Sequence, residues 1–292
     1  MPESALARHG TPLIVFSHGN SFPGATYNVI FENLRAVGYR VEAVDTFGHD
    51  PRYPVTSNWP HLVQQLAAFA EKASNEPSGP VYLVGHSLGG FLSLMCAAIH
   101  PTLSGVPVAG VVMLDSPVIG GWRARTLEMV KRTHLIGALS PGKVSRKRRN
   151  VWDNDTEVWE HFVEKKSFAR WHQEVLHDYI AHGTQNTLTP KGPKRVLRFD
   201  RDIETRIYNT LPHNLDRLLR RHPLRCPVAF VGGTNSQEMR QVGMAMTHKL
   251  VGKQPSARLQ MIEGSHLFPM ERPHETAQAI DSALRSFIKQ PN

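Results

Sequence analysis

Six short apolar runs, each closed by a turn residue, constrain this chain more than any other feature. Leu13 to Phe16 ends at Ser17-His18-Gly19, Arg40 to Val44 at Asp45, Val81 to Val84 at Gly85, and Val108 to Leu114 at Asp115. After a long gap, Val228 to Val231 ends at Gly232-Gly233 and Arg258 to Ile262 at Glu263-Gly264. The runs are rich in valine and too short for free-standing helices, so they read as strands buried on both faces. Helical stretches are expected between them, at Thr26 to Val37, Trp59 to Ala73, Leu88 to His100, Gln237 to Leu250 and His274 to Ile288. The last follows Pro273, which a helix start tolerates. Such alternation predicts an α/β protein: a doubly wound, mostly parallel sheet with helices on both faces.

The alternation occupies residues 1–117 and 224–292 and breaks down across residues 118–223. That interval has no convincing buried strand. Phe168, Trp171, Val175, Leu176, Tyr179 and Ile180 follow the three-and-four spacing of an amphipathic helix. Trp122, Trp152, Trp159 and Trp171 all fall inside it. The interval is expected to form a mostly helical cap placed over the carboxyl ends of the strands. Its tryptophans serve either packing or an apolar pocket.

Composition closes off several classes. Hydrophobic residues at 40% and charged residues at 20% describe a folded chain rather than a disordered one. No stretch approaches the roughly 20 apolar residues of a membrane span, so no stable membrane insertion is expected. Met1 to Gly10 lacks the basic start and apolar run of a secretory signal. Cys96 and Cys226 read as free thiols, and together these features favour a cytoplasmic location. The net charge of +9 is patchy: Lys143, Arg146, Lys147, Arg148 and Arg149 crowd one segment, and Lys191, Lys194, Arg195, Arg198 and Arg201 a second. A third group holds Arg217, Arg220, Arg221 and Arg225. Such runs either attract anionic substrates or form a solvated surface. No aromatics interleave with them, so no nucleic-acid partner is expected. No metal-ligand spacing or phosphate-cradling loop occurs, so neither metal nor cofactor is expected.

Three motifs carry chemistry. Gly85-His86-Ser87-Leu88-Gly89 lies between a strand and a helix. A serine on so tight a turn is held in strained backbone angles, and the flanking glycines remove side chains that would collide. Its hydroxyl then projects at a helix N-terminus, whose N–H groups favour developing negative charge. Ser17-His18-Gly19-Asn20 follows the first strand, and there the N–H of Asn20, or of Ser21 if the loop turns later, can join that of Leu88 in an oxyanion hole. The loop Gly264-Ser265-His266-Leu267-Phe268-Pro269-Met270-Glu271-Arg272-Pro273 follows the last strand and sets an imidazole at the edge that carries Ser87. His18 and His86 read as residues that orient loops.

The order of these motifs resembles the α/β-hydrolase family, in the subgroup with an HG oxyanion loop, a GHSLGG elbow and a terminal GSHLFPMERP loop. The resemblance covers about residues 11–117 and 224–290. It implies a serine nucleophile at Ser87, a base at His266 and an ester-like small-molecule substrate with an apolar acyl or aromatic group. It also implies that Asp45 and Gly48-His49-Asp50 border the pocket or support it. In one respect the chain departs from the family. Where the triad acid is usual, after the penultimate strand, it reads Gly232-Gly233-Thr234-Asn235, and an amide cannot stabilise an imidazolium by charge. Some lipases and dehalogenases of the fold place the acid one strand earlier, which makes Asp115 the first candidate and Glu238 the second. Absence of the acid would favour a binding protein that has lost catalysis. Dehalogenases and epoxide hydrolases use an aspartate nucleophile, so Ser87 points instead to a carboxylesterase, with thioesterase, lactonase and carbon–carbon hydrolase as neighbours.

Overall fold

The computed structural model describes residues 10–75, 79–118, 146, 148–190, 192–252 and 258–288. In chain order the first part runs β1 (Leu13–Ser17), α1 (Asn28–Ala36), β2 (Arg40–Ala43), α2 (Pro60–Ser74), β3 (Val81–His86), α3 (Leu88–Ile99), β4 (Thr102–Leu103) and β5 (Val106–Leu114). An intervening part follows: β6 (Val151–Trp152), α4 (Asp155–Val163), α5 (Gln173–Gly183), β7 (Thr184–Thr189), β8 (Gly192–Leu197), α6 (Arg201–Asn209) and α7 (Leu215–Arg221). The chain then returns through β9 (Val228–Gly233), α8 (Gln237–Val242), α9 (Ala245–Val251), β10 (Leu259–Ile262) and α10 (Pro273–Arg285).

The main sheet has the order β10-β9-β5-β3-β1-β2, and these strands are parallel, with the short β4 antiparallel to β5. Successive side chains of a strand point to opposite faces. Leu13 and Val15, Val81 and Leu83, and Val111 and Met113 accordingly pack on the face covered by α2 and α3. Ile14 and Phe16, Tyr82 and Val84, and Val112 and Leu114 pack on the face covered by α1 and α10. Burial on both faces is why these strands read as unbroken apolar runs. The chain steps outward from β1 to β2, then crosses back to β3 on the other side of β1. Strand order therefore reverses between β1 and β3, whose carboxyl ends lie side by side with Ser17 opposite Gly85. A crevice opens at such a reversal.

Three details differ from the sequence-based expectation. The stretch Gln237 to Leu250 is two helices, broken where Gly243 adopts φ 77°, a conformation closed to most L-residues. The expected helix through Phe168 and Trp171 starts only at Gln173, and those two residues stand on preceding turns with their rings packed on Tyr179. The intervening part, expected to be helical, also holds the antiparallel sheet β6-β8-β7. Its strands TQNTLT and GPKRVL are largely polar and mostly half-buried or exposed, so they lack the apolar signature that marks the main sheet. Helical residues still outnumber strand residues among those described there. Trp122, Lys143, Lys147 and Lys191 lie outside the described residues.

Packing at the start of α3 is unusually close. Every residue from Leu88 to Ala98 is buried, so the helix is apolar on all sides. A Cβ on Gly89 would stand 1.9 Å from the backbone oxygen of Ser17, and one on Gly85 2.2 Å from the backbone of Gly89. Neither neighbour can yield, because both are main chain. Gly89→Ala is therefore expected to lower unfolding free energy by more than about 2 kcal/mol, measured by urea denaturation. A near-neutral effect would mean that β1 and α3 stand further apart.

Candidate active site

Ser87 occupies the turn between β3 and α3 with φ 52° and ψ −113°, backbone angles that cost a non-glycine residue energy. Three features hold it there. Its N–H donates to the carbonyl of Leu114 (2.9 Å), its own carbonyl accepts from the Ser116 hydroxyl (2.9 Å), and the glycine contacts fix both sides of the turn. Within α3, the N–H groups of Gly90 and Phe91 donate to the Ser87 carbonyl. The N–H groups of Leu88 and Gly89 belong to the first turn, where a helix offers no acceptor.

The loop after β10 brings His266 to Ser87. The serine hydroxyl donates to His266 Nε2 at 2.9 Å, and His266 Nδ1 donates to Asp115 Oδ1 at 2.8 Å. The loop is clamped by Glu271, whose carboxylate accepts from the Ser265 N–H (3.0 Å) and the Ser265 hydroxyl (2.5 Å). Asp115 ends β5 at φ 40°, and its side chain is completely buried. Besides His266, it accepts from the Ser236 hydroxyl (2.6 Å) and the Gly233 N–H (2.6 Å). Three donors satisfy the carboxylate and leave the imidazole in one tautomer.

Asn235 does not approach His266; its N–H donates to the carbonyl of Gly264 and its side chain lines the cleft. Glu238 is exposed on the cleft wall and has no bond to His266. The sequence reading missed Ser236, which caps α8 by accepting from the Met239 N–H while it holds Asp115. A serine one turn before an apolar residue is the signature of such a cap.

The loop after β1 is tied to the same centre. The Gly19 N–H donates to the Tyr27 hydroxyl (3.0 Å), Tyr27 donates to His86 Nδ1 (2.7 Å), and His86 Nε2 donates to the carbonyl of His266 (2.9 Å). This chain fixes the three motifs against one another. Nothing in the spacing of Tyr27 distinguishes it from a core aromatic, so the sequence gives no sign of it. Ser21, at φ 77°, turns the loop back, and the Asn20 side-chain amide donates to the carbonyl of Glu204 in α6 (3.1 Å). Asn20, Ser21, Ser87 and His266 line one cleft of ≈ 810 Å³. Leu88 lines an adjoining apolar pocket of ≈ 260 Å³ that also reaches Ser87 and His266.

Two alternatives left open about lining residues resolve toward support and packing. Asp45 and His49 do not line this cleft: Asp45 pairs with Arg198, and His49 Nε2 accepts from the Asp200 N–H, so both brace the intervening part. Trp152, Trp159 and Trp171 do not line it either; among the described residues Trp59, ahead of α2, lines the adjoining smaller pocket. Among the described residues no group of three or more histidine, cysteine or acidic side chains could hold a metal, and no helix is long and apolar enough to cross a membrane. Cys96 and Cys226 are free, with burial pushing the Cys96 thiol up to about 12 and that of Cys226 to about 11.

The alpha/beta hydrolase family model matches residues 14–279, and the chain belongs to this family. Among curated relatives, monoglyceride lipase of Rattus norvegicus is 29% identical over 153 residues, covering 49% of this chain and 50% of that protein. Pyrethroid hydrolase of Sphingobium wenxiniae is 34% identical over 106 residues, 35% of each chain. Lipase LipV of Mycobacterium tuberculosis is 31% identical over 117 residues, 40% of this chain and 42% of that one. The chain thus spans about half or less of the length of the curated relatives it matches. Among solved structures, E-2-(acetamidomethylene)succinate hydrolase superposes with TM-score 0.66 at 22% identity, over 95% of this chain and 93% of that one. The thioesterase domain from the curacin biosynthetic pathway superposes with TM-score 0.67 at 18% identity, over 94% and 91%. These two likenesses establish the fold.

Buried histidines make the site sensitive to acid. Burial pulls His18 down from 6.5 to about 4 and holds His86 well below its usual range, the neighbouring His266 adding to the effect on His86. An unfolded histidine takes its proton near pH 6.5. Between there and pH 4 the unfolded chain binds more protons, so stability is full above pH 6.5 and is lost as pH falls. Urea denaturation is expected to show a loss between pH 7 and pH 5 of up to about 2 kcal/mol for His18. The slope should shrink in His18→Asn; an unchanged slope would show that His18 does not contribute.

Proposed function

We propose that this chain is a serine hydrolase acting on carboxylic esters, with Ser87 as nucleophile, His266 as base and Asp115 as the acid that orients it. The observation that carries the reading is the continuous hydrogen-bonded chain from Ser87 through His266 to the buried Asp115, opening on a cleft. Attack by Ser87 Oγ on the carbonyl carbon passes its proton to His266 Nε2, and Asp115 stabilises the resulting imidazolium. The negative oxygen is met by the Leu88 N–H at the start of α3. The second donor is the backbone N–H of Asn20, whose side-chain amide is already engaged by Glu204. His266 then returns the proton to the leaving alcohol, and on the second half of the cycle it activates water to release the acid.

Residues 118–223 act in this reading as a cap on the core formed by 1–117 and 224–292. They supply Ile207, Leu211 and Pro212 to the pocket beside Ser87. A pocket of ≈ 260 Å³ suits a medium-sized apolar acyl or alcohol group. Lipase and hydrolase relatives support ester chemistry, as each contributes a name of that kind over its matched part.

A fluorophosphonate probe and a series of p-nitrophenyl esters test this. Labelling and turnover are expected in the native chain and lost in Ser87→Ala. Asp115→Asn should lower kcat by roughly four orders of magnitude. Asparagine tolerates the left-handed backbone at that position, so the change isolates charge from conformation. Asn235→Ala should change turnover little. A folded protein that neither labels nor turns over any ester would instead be a binding protein.

A further inference from the structure

The two cavities that meet at Ser87 differ in chemistry. Among the described residues, Arg148, Arg170 and Arg240 line the larger one and Glu238 is its one lining carboxylate. Trp59, Phe91, Pro117, Ile207, Leu211 and Val242 dominate the smaller. Arg148 is the anchored cation of the three. Its Nη2 donates to Glu204 Oε1 at 3.1 Å, its side chain is 19% exposed and that of Glu204 fully buried. The Arg201 guanidinium fixes the backbone by donating to the carbonyl of Arg148 (2.7 Å). Arg148 Nε is buried and meets no acceptor among the described residues. Its Nε is closed off from the cavity, so a guanidinium held this way presents a fixed positive charge to a second anion, and partial burial strengthens that attraction. Arg170 and Arg240 are exposed and add a longer-range pull on a negative charge.

We infer that the substrate is an amphiphilic ester: an anionic group, carboxylate or phosphate, lies at Arg148 in the larger cavity while an apolar group fills the smaller, with the reacting carbonyl between them at Ser87. The inference rests on the serine-hydrolase reading for the reaction. The affinity for an amphiphilic anion stands independently of it. Hydrolysis adds one water across the ester and releases an acid and an alcohol, one of which keeps the anionic group.

Two measurements test it. Kinetics compares p-nitrophenyl hexanoate with mono-p-nitrophenyl adipate, and with the hexanoate ester of a carboxylated nitrophenol, so that the charge is placed on either side of the ester. Arg148→Gln alone would strand the buried Glu204 carboxylate, so the variant is Arg148→Gln with Glu204→Gln, accompanied by the exposed Arg170→Gln. In the double variant the ratio of kcat/KM for an anionic ester to that for the neutral one is expected to fall about tenfold or more. Arg170→Gln should lower it less and weaken its salt dependence. Calorimetry supplies a readout that needs no turnover: phenylhexanoate or the matching phenylalkyl phosphate should bind the native chain about tenfold more tightly than the neutral amide. The tighter of the two anions identifies the group. Unchanged kinetic ratios together with equal binding of anions and amide would overturn the inference and leave the hydrolase reading intact. Anion binding without labelling or turnover would retain the anion site and overturn the hydrolase reading.

Discussion

The site is organised around one buried anion. An ionised carboxylate removed from water costs several kcal/mol unless hydrogen-bond donors replace its hydration. Asp115 has no exposed side-chain surface, and its donors come from the end of β9, the cap of α8 and the loop after β10. The first two adjoin in sequence, and the third lies some thirty residues further on. They meet because leaving any one of them out would strand part of the charge. The same requirement tolerates φ 40° at Asp115, since the backbone must turn there to aim the carboxylate inward. The position of His266 follows from satisfying an aspartate, and the Ser87 contact follows from the position of His266.

A second, neutral network ties the remaining loop to this one. Gly19, Tyr27, His86 and the carbonyl of His266 form a directed chain in which each donor has one acceptor. The direction depends on an uncharged His86, and burial keeps it uncharged. Protonation would give Nδ1 a hydrogen, and that nitrogen could no longer accept from Tyr27. The link between the loop bearing Asn20 and the elbow would have to reverse, with His86 donating to Tyr27 and the Tyr27 hydroxyl hydrogen left to find another acceptor. The network touches the reacting groups directly, because His86 donates to the carbonyl of His266.

Legibility in the sequence tracks burial and position. Strands buried on both faces had to be apolar throughout, so β1, β3, β5 and β9 stand out from their residues alone. Ser87 and His266 could be singled out because each follows a strand at a recognisable turn. The partner of His266 was harder to read. Asp115, Asn235 and Glu238 all lie near strand ends, and choosing among them needs the order of strands across the sheet. With β5 beside β9 and β9 beside β10, the Asp115 carboxylate faces His266, while the Asn235 N–H is spent on Gly264. Tyr27 was invisible because a core tyrosine and a bridging one share the same pattern. The strands β7 and β8 were invisible for the opposite reason: they are largely polar and only partly buried, and polar periodicity does not specify a face.

Groups that touch Ser87 or His266 come from the sheet and its loops, whereas many that shape the cavities come from the part between β5 and β9. Arg148, Arg170, Ile207 and Leu211 line the space without bonding to Ser87, His266 or Asp115. The two sets are joined at several points, among them the Asn20 amide on the Glu204 carbonyl, His49 on the Asp200 N–H, the Asp45–Arg198 pair, and the Trp59 indole N–H on the Ile207 carbonyl and Thr210 hydroxyl. Residues in this intervening part can therefore change the shape and charge of the cleft while the buried carboxylate keeps its donors. Asn20 is the exception, because its backbone sits beside Ser87 while its side chain depends on α6. A shift of α6 would pull on that loop, because the Asn20 amide and the Ser21 side chain both bond to Glu204.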